Sequence, residues 1–230
     1  MFIIPGGGNL SILTLNKLRD FLREAINREP SVVLIPTATA SPENFDKILE
    51  HWKSVFHMVK LIKIHRKMKD LPSLSEFRES VYGADLVFFT GGDQARIIRM
   101  FLNSYWLKVL HEGLREGRFS IGGTSAGAAV LGGKCILKGN PAKLETVKIS
   151  DGLNFLSGFV VDQHFKERKR FGRLIHTCLA EGLHGVGVDE DTLGIFDFRG
   201  SLVKVLGSGF CWLFENAGNG KILLSRRLEI

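Results

Sequence analysis

Cysteine is scarce in this sequence: 230 residues carry three, Cys135, Cys178 and Cys211. They are odd in number, far apart and without a C-x-x-C pair. That excludes a disulfide framework and gives no zinc-ligand spacing, and it fits a reducing cytoplasm. No apolar run reaches the length of a membrane span, so no membrane partner is expected. The opening Met1-Phe2-Ile3-Ile4-Pro5 has neither a basic region nor a cleavage site and reads as a first strand instead of a signal peptide. There is no internal repeat, low-complexity segment or linker, and residues 1–230 are expected to form one domain. Gly6-Gly7-Gly8 lacks the G-x-G-x-x-G spacing of a dinucleotide loop. No nucleic-acid motif accompanies the formal net charge of +7, so nucleic acid is not an expected partner. The basic residues cluster at Lys60 to Lys69 and Lys166 to Arg173. Such runs are commonly solvated faces, and the second also suits an acidic small substrate or a peptide carboxylate.

Hydrophobic residues make up 44% of the chain, enough for a sizeable core. In the first half, strand-like and helix-like segments alternate. Phe2–Ile4, Val32–Ile35, Val59–Ile64, Leu86–Phe89 and Phe119–Gly122 read as strands. Leu15, Leu18, Leu22 and Ala25 recur at helical spacing, Ser41-Pro42 opens a second helix, and Ser73-Leu74-Ser75-Glu76 is a capping box. Ala95–Leu102 and Leu107–Leu114 are expected to be helical as well. Continuous apolar strands between helices predict a parallel sheet covered on both faces. The second half is less regular. Lys134 to Ser157 gives no clear pattern, Phe159–Val161 reads as a strand and Phe171–Glu181 as a helix. From Val186 onward short strands suggest hairpins at the sheet edge.

The most informative segment is Gly122-Gly123-Thr124-Ser125-Ala126-Gly127-Ala128. It fits G-x-S-x-G, a sharp strand-to-helix turn that exposes a serine hydroxyl, with small residues where backbone would collide. The N–H of Ala126 at the helix start can donate to an oxyanion, and one from Gly91-Gly92, Gly92 in particular, can complete the hole. A serine needs a base to become nucleophilic at neutral pH. Of seven histidines, His164 alone follows a strand and sits among Asp162, Gln163 and a charged loop. A carboxylate must hold that base, and Asp189, Glu190 and Asp191 at another strand end all qualify. Gln94 is placed to orient a substrate. Arg168, Arg170 and Arg173 are either an exposed helix face or a carboxylate clamp. Strand ends carrying these groups would share one site, as ligands of open parallel sheets bind there.

Ile35-Pro36-Thr37-Ala38, Phe89-Thr90-Gly91-Gly92-Asp93-Gln94, the serine turn, Val161-Asp162-Gln163-His164-Phe165, the three arginines and Gly187-Val188-Asp189-Glu190-Asp191-Thr192 together resemble the cyanophycinase family of serine peptidases, which includes aspartyl dipeptidases. The resemblance implies a three-layer α/β/α sandwich with a mostly parallel sheet, like class I glutamine amidotransferases, and C-terminal edge hairpins. It implies Ser125 as nucleophile, His164 as base and Glu190 as acid. Gln94, Asp162, Gln163, Arg168, Arg170 and Arg173 would line the substrate pocket. It also implies no metal, no cofactor, a homodimer, and a peptide substrate with a β-aspartyl linkage, such as the polymer cyanophycin from which β-Asp-Arg is released. The alternatives are an α-aspartyl or isoaspartyl dipeptidase of the same family and a non-catalytic relative that binds a small ligand.

Overall fold

The computed structural model describes residues 1–229. The chain begins with β1 (Ile3–Gly6), α1 (Ile12–Ile26) and β2 (Ser31–Ile35). Helix α1 starts where the Ser11 hydroxyl accepts the Thr14 N–H at 3.1 Å, and stops at Asn27 in the left-handed region, φ 56°. Its Leu15, Leu18 and Leu22 are buried, each contributing about 1.5–3 kcal/mol. A 3₁₀ turn, Pro42–Asn44, leads into α2 (Phe45–Lys53) and β3 (Met58–Leu61). Next come α3 (Leu74–Tyr82), β4 (Leu86–Phe89), α4 (Gln94–Phe101), α5 (Tyr105–Arg115) and β5 (Ser120–Thr124). The capping box before α3 is formed in both directions between Ser73 and Glu76.

After β5 come the single-turn helix α6 (Ala126–Ala129), β6 (Gly132–Asn140), β7 (Lys143–Asp151) and β8 (Leu156–Gln163). The chain ends with α7 (Phe171–Glu181), β9 (His184–Val188), β10 (Thr192–Phe196), β11 (Leu202–Gly207), β12 (Cys211–Gly218) and β13 (Lys221–Arg227). Two sheets result, with strand orders β11-β10-β1-β5-β4-β2-β3 and β13-β12-β9-β8-β6-β7. In the first, β1, β5, β4, β2 and β3 are parallel neighbours, and β10 and β11 add an antiparallel edge.

Alternation along the parallel strands sends successive side chains to opposite faces. Ile4, Val32, Leu34 and Phe88 pack with Leu15, Leu18 and Leu22 of α1 and Trp52 of α2. Ile3, Val33, Ile35, Val87 and Phe89 pack with Phe77 of α3, Phe101 of α4 and Val109 and Leu110 of α5. This is the α/β sandwich that the alternating pattern predicts, with helices over both faces. A third cluster joins the second sheet to α7 through Val160, Phe165, Leu174, Cys178 and Phe214.

Two features differ from the sequence pattern. The stretch from Lys134 to Ser157 contains a long antiparallel hairpin, β6–β7, paired from Lys134↔Asp151 to Asn140↔Lys143 with register shifts on either side of Lys138. The C-terminal hairpins also divide: β10–β11 closes the edge of the first sheet, whereas β12–β13 closes the second. Among the described residues, no helix is long and apolar enough to cross a membrane.

Candidate active site

The strands β1, β4 and β5, side by side, deliver their loops to one end of the first sheet. Ser125 follows β5 directly, with φ 51° and ψ −115°. A non-glycine residue in such a conformation stores about 1–3 kcal/mol of strain. Neighbouring bonds hold it there: the Ser125 N–H donates to the Gly6 carbonyl at 3.0 Å, and the Ala129 N–H donates to the Ser125 carbonyl at 3.0 Å. Glycine is required beside it because a Cβ on Gly127 would overlap the Phe89 carbonyl.

His164 lies just beyond β8, at φ 47°, and its N–H donates to the Gly7 carbonyl at 2.6 Å. The ring bridges two partners. Its Nε2 is 3.0 Å from Ser125 Oγ and its Nδ1 is 2.6 Å from Glu190 Oε1. With Nδ1–H donating to the carboxylate, Nε2 is left to accept the serine hydroxyl. Burial lowers the His164 pKa from its ordinary value; the Glu190 bond opposes this, and the charges of Arg168 and Arg170 add to the lowering. The imidazole is therefore neutral, and able to accept a proton, at neutral pH.

The three acidic residues after β9 have separate partners. Asp189 is buried and accepts from the Lys166 and Phe210 N–H groups and from Trp212 Nε1. Asp191 accepts the Ser11 N–H at 2.7 Å. Glu190 alone reaches His164, with its side chain 50% exposed. Ala126 opens α6, so its N–H has no intrahelical acceptor. Gly91 passes over the serine: a Cβ on it would be 3.3 Å from Ser125 Cβ. The next residue, Gly92, has φ 141°. Gly92 shares the lining of a cleft with Ser125, and Ala126 follows Ser125 at the start of α6.

The remaining residues singled out from the sequence separate into three settings. Gln94 uses its amide NH₂ on the Ile136 and Leu137 carbonyls, both at 2.9 Å, and so ties α4 to β6. Asp162 is 1% exposed and accepts from Arg170 Nη1 at 3.0 Å and from Arg173 Nε and Nη2, both at 2.6 Å. Arg173 also donates to the Gly139 carbonyl and Arg170 to the Gln163 carbonyl. Arg170 and Arg173 are accordingly buried, and burial lowers the Arg170 pKa to about 10. Arg170 Nε and the neighbouring Gln163 Oε1 are buried with no partner among the described residues. Arg168 is exposed; its N–H donates to the His164 carbonyl at 3.0 Å, and its charge acts on the His164 ring.

Sequence reasoning missed two contributors. The first is the loop Gly6-Gly7-Gly8, set aside as a failed dinucleotide motif. It supplies the carbonyls under Ser125 and His164, and Thr124 Oγ1 donates to the Gly8 carbonyl. A Cβ on Gly8 would lie 2.9 Å from both Nδ1 and Cε1 of His164, so the imidazole fits only over glycine. The glycine run after the first strand was its signal. The second is a cleft of about 450 Å³ next to Ser125, walled by Leu10, Ile48 and Trp52. Ile48 and Trp52 carry ordinary helix-core spacing, which gave no signal. Together the groups can perform acyl transfer: a hydroxyl bonded to a neutral imidazole, an orienting carboxylate and nearby backbone donors.

Residues 1–197 match the sequence profile of peptidase family S51. A cyanophycinase of Trichormus variabilis is 31% identical over 215 residues, covering 90% of this chain and 70% of the relative. The crystal structure of a peptidase from an acI-B1 Actinobacterium superposes with a TM-score of 0.74 at 18% identity, over 99% of this chain and 94% of that one. A putative peptidase E protein from Listeria monocytogenes gives a TM-score of 0.58 at 16% identity, over 98% of each chain.

Proposed function

The chain belongs to peptidase family S51 and is a serine peptidase of the cyanophycinase and peptidase E group; on that premise we propose that it hydrolyses β-aspartyl peptide bonds through an acyl-enzyme on Ser125. The observation that carries the reading is the unbroken chain Ser125 Oγ, His164, Glu190, at 3.0 and 2.6 Å. His164 Nε2 takes the hydroxyl proton as Ser125 Oγ adds to the substrate carbonyl carbon. The Gly92 and Ala126 N–H groups hold the oxyanion that forms. The imidazolium then gives its proton to the departing amine, which leaves an ester on Ser125. Water, deprotonated by His164, attacks that ester, releases the acid and restores the serine. Glu190 orients the ring and stabilises its charged form.

The substrate side of the proposal is an aspartyl residue whose free carboxylate, or backbone carbonyl in a polymer, is met by arginine. Arg168 is exposed and near the base, and the unpartnered Arg170 Nε and Gln163 Oε1 offer a buried donor and acceptor. The Trichormus relative, a cyanophycinase, makes cyanophycin the first polymer to test. A second reading, a dipeptidase for small aspartyl peptides, α-linked or isoaspartyl, is favoured by the modest size of the cleft at Ser125. The same proposal carries one catalytic domain over residues 1–230, a homodimer and a cytoplasmic location.

The test is a panel of cyanophycin, β-aspartyl dipeptides and α-aspartyl dipeptides, run with the wild type and Ser125→Ala. The variant is expected to lose activity by about a thousandfold or more, and a fluorophosphonate should label only the wild type. More than a tenth of wild-type activity in Ser125→Ala would exclude serine catalysis at this position.

A further inference from the structure

Ser125 has two unlike surroundings. Toward its partner His164 lie Arg168, Arg170 and the buried Asp162. The cleft of about 450 Å³ is different in kind, and none of its lining residues is acidic. Leu10 and Trp52 form walls that are nearly buried, at 6% and 5% exposure. The Trp52 ring cannot easily turn, because it stacks on Phe56 at 5.4 Å and leans on Phe88 at 4.7 Å. Ile48, half-buried and one helical turn before Trp52 in α2, completes the apolar side. His51 is committed at Nε2 to the Leu10 carbonyl, 3.0 Å away. The floor is Gly91, Gly92 and Ser125 itself.

One residue that lines this cleft carries a buried polar atom without a partner. Thr90 Oγ1 is buried without a hydrogen bond among the described residues, and Thr90 lines the cleft. Buried hydroxyls are nearly always bonded, so this orphan beside the cleft has bonding capacity that a ligand could take up once the hydroxyl turns toward it. A guanidinium or ammonium entering here would lose its hydration and find no carboxylate. An aliphatic or aromatic side chain would be dehydrated with gain.

We propose that this cleft is the subsite for an uncharged apolar side chain on the residue adjoining the scissile carbonyl, with Thr90 Oγ1 bonding that residue's backbone. The inference rests on Ser125 being the nucleophile, and it chooses between the two substrate readings above. Aspartyl peptides with an apolar neighbour are preferred over those whose neighbour is arginine. Ile48, Trp52 and Thr90 are its specificity-determining residues.

The experiment uses aspartyl-phenylalanine, aspartyl-leucine and aspartyl-arginine, each α- and β-linked, with kcat/KM measured for wild type, Ile48→Asp, Thr90→Val and Thr90→Ser. The wild type is expected to favour phenylalanine or leucine over arginine by about tenfold or more. Ile48→Asp places a carboxylate at the half-exposed wall and should move that ratio toward arginine by about tenfold. Thr90→Val should lower kcat/KM by about tenfold on the apolar pair, and Thr90→Ser should restore it. A wild type without preference, or with a preference for arginine, overturns the proposal. So does an Ile48→Asp protein that is folded by circular dichroism and has an unchanged ratio. Calorimetric binding of the same dipeptides to Ser125→Ala separates this inference from the hydrolase reading. An apolar-over-arginine order of binding supports the cleft whether or not turnover depends on Ser125; its absence, with Ser125-dependent turnover intact, sinks the cleft alone.

Discussion

Glu190 and Asp191 are adjacent carboxylates with different geometry, and that difference predicts different losses. Glu190 holds the His164 ring at Nδ1, whereas Asp191 caps the Ser11 N–H. Glu190→Gln is expected to lower kcat by about a hundredfold or more, because the ring loses its orienting charge. Asp191→Asn should stay within about threefold of wild type in the same assay. The pH profile offers a second check. Activity needs neutral His164, so kcat/KM should fall as pH drops through the His164 pKa. Burial and the two arginine charges place that pKa below the ordinary histidine value. Arg168→Ala removes one lowering charge, so the acid limb should move to higher pH. An unmoved limb would mean that Arg168 acts on the substrate alone or not at all. At this scale the meeting of Ser125 and His164 was signalled in the sequence. Gly-Thr-Ser-Ala-Gly suits a sharp strand-to-helix turn, and His164 follows a strand directly after Asp162 and Gln163. The choice among Asp189, Glu190 and Asp191 was not legible from the residues, since which carboxylate faces the ring depends on the turn at Asp191, φ 49°.

Among the elements, β8 and α7 are tied together by Asp162, Arg170 and Arg173. Both guanidiniums meet one buried carboxylate, so Asp162→Ala would leave two buried cations without a counter-ion. Such a loss costs about 3–5 kcal/mol, which for a chain of this size lowers the melting temperature by about 6–20 °C. Differential scanning calorimetry reads it directly, and a shift under 2 °C would show that the cluster bears little of the fold. Strands β1, β2 and β4 of the first sheet were legible because each carries a continuous apolar run ended by glycine, proline or a polar cluster. The β6–β7 hairpin was not. Strand β7 is mostly exposed, so no apolar alternation marks it, and β6 carries register shifts around Lys138. The arginines illustrate the same limit. Their spacing after His164 suits either an exposed helix face or a clamp, and a carboxylate eight to eleven residues earlier decides where two of them point.

For the whole molecule, the scarcity of cysteine acquires a testable form. All three thiols are buried and unpaired, and burial pushes Cys178 and Cys211 up to about 12 and Cys135 higher still. A thiol reagent such as 5,5′-dithiobis(2-nitrobenzoate) should therefore label none of them in the native protein and all three in denaturant, and should leave peptidase activity unchanged. Rapid native labelling would contradict the packing around them. The division into two sheets was invisible in the sequence, because β8 and β9 are buried parallel strands like those of the first sheet. The first strand has a further consequence. It lies between β5 and β10, and its glycine loop bonds Ser125, His164 and Thr192 through backbone atoms. Gly7 and Thr192, about 185 positions apart in the chain, thus have to meet before the serine gains its base. A chain in which that long-range contact is still open holds Ser125 without an aligned imidazole, and so cannot digest itself or its neighbours while it is still folding.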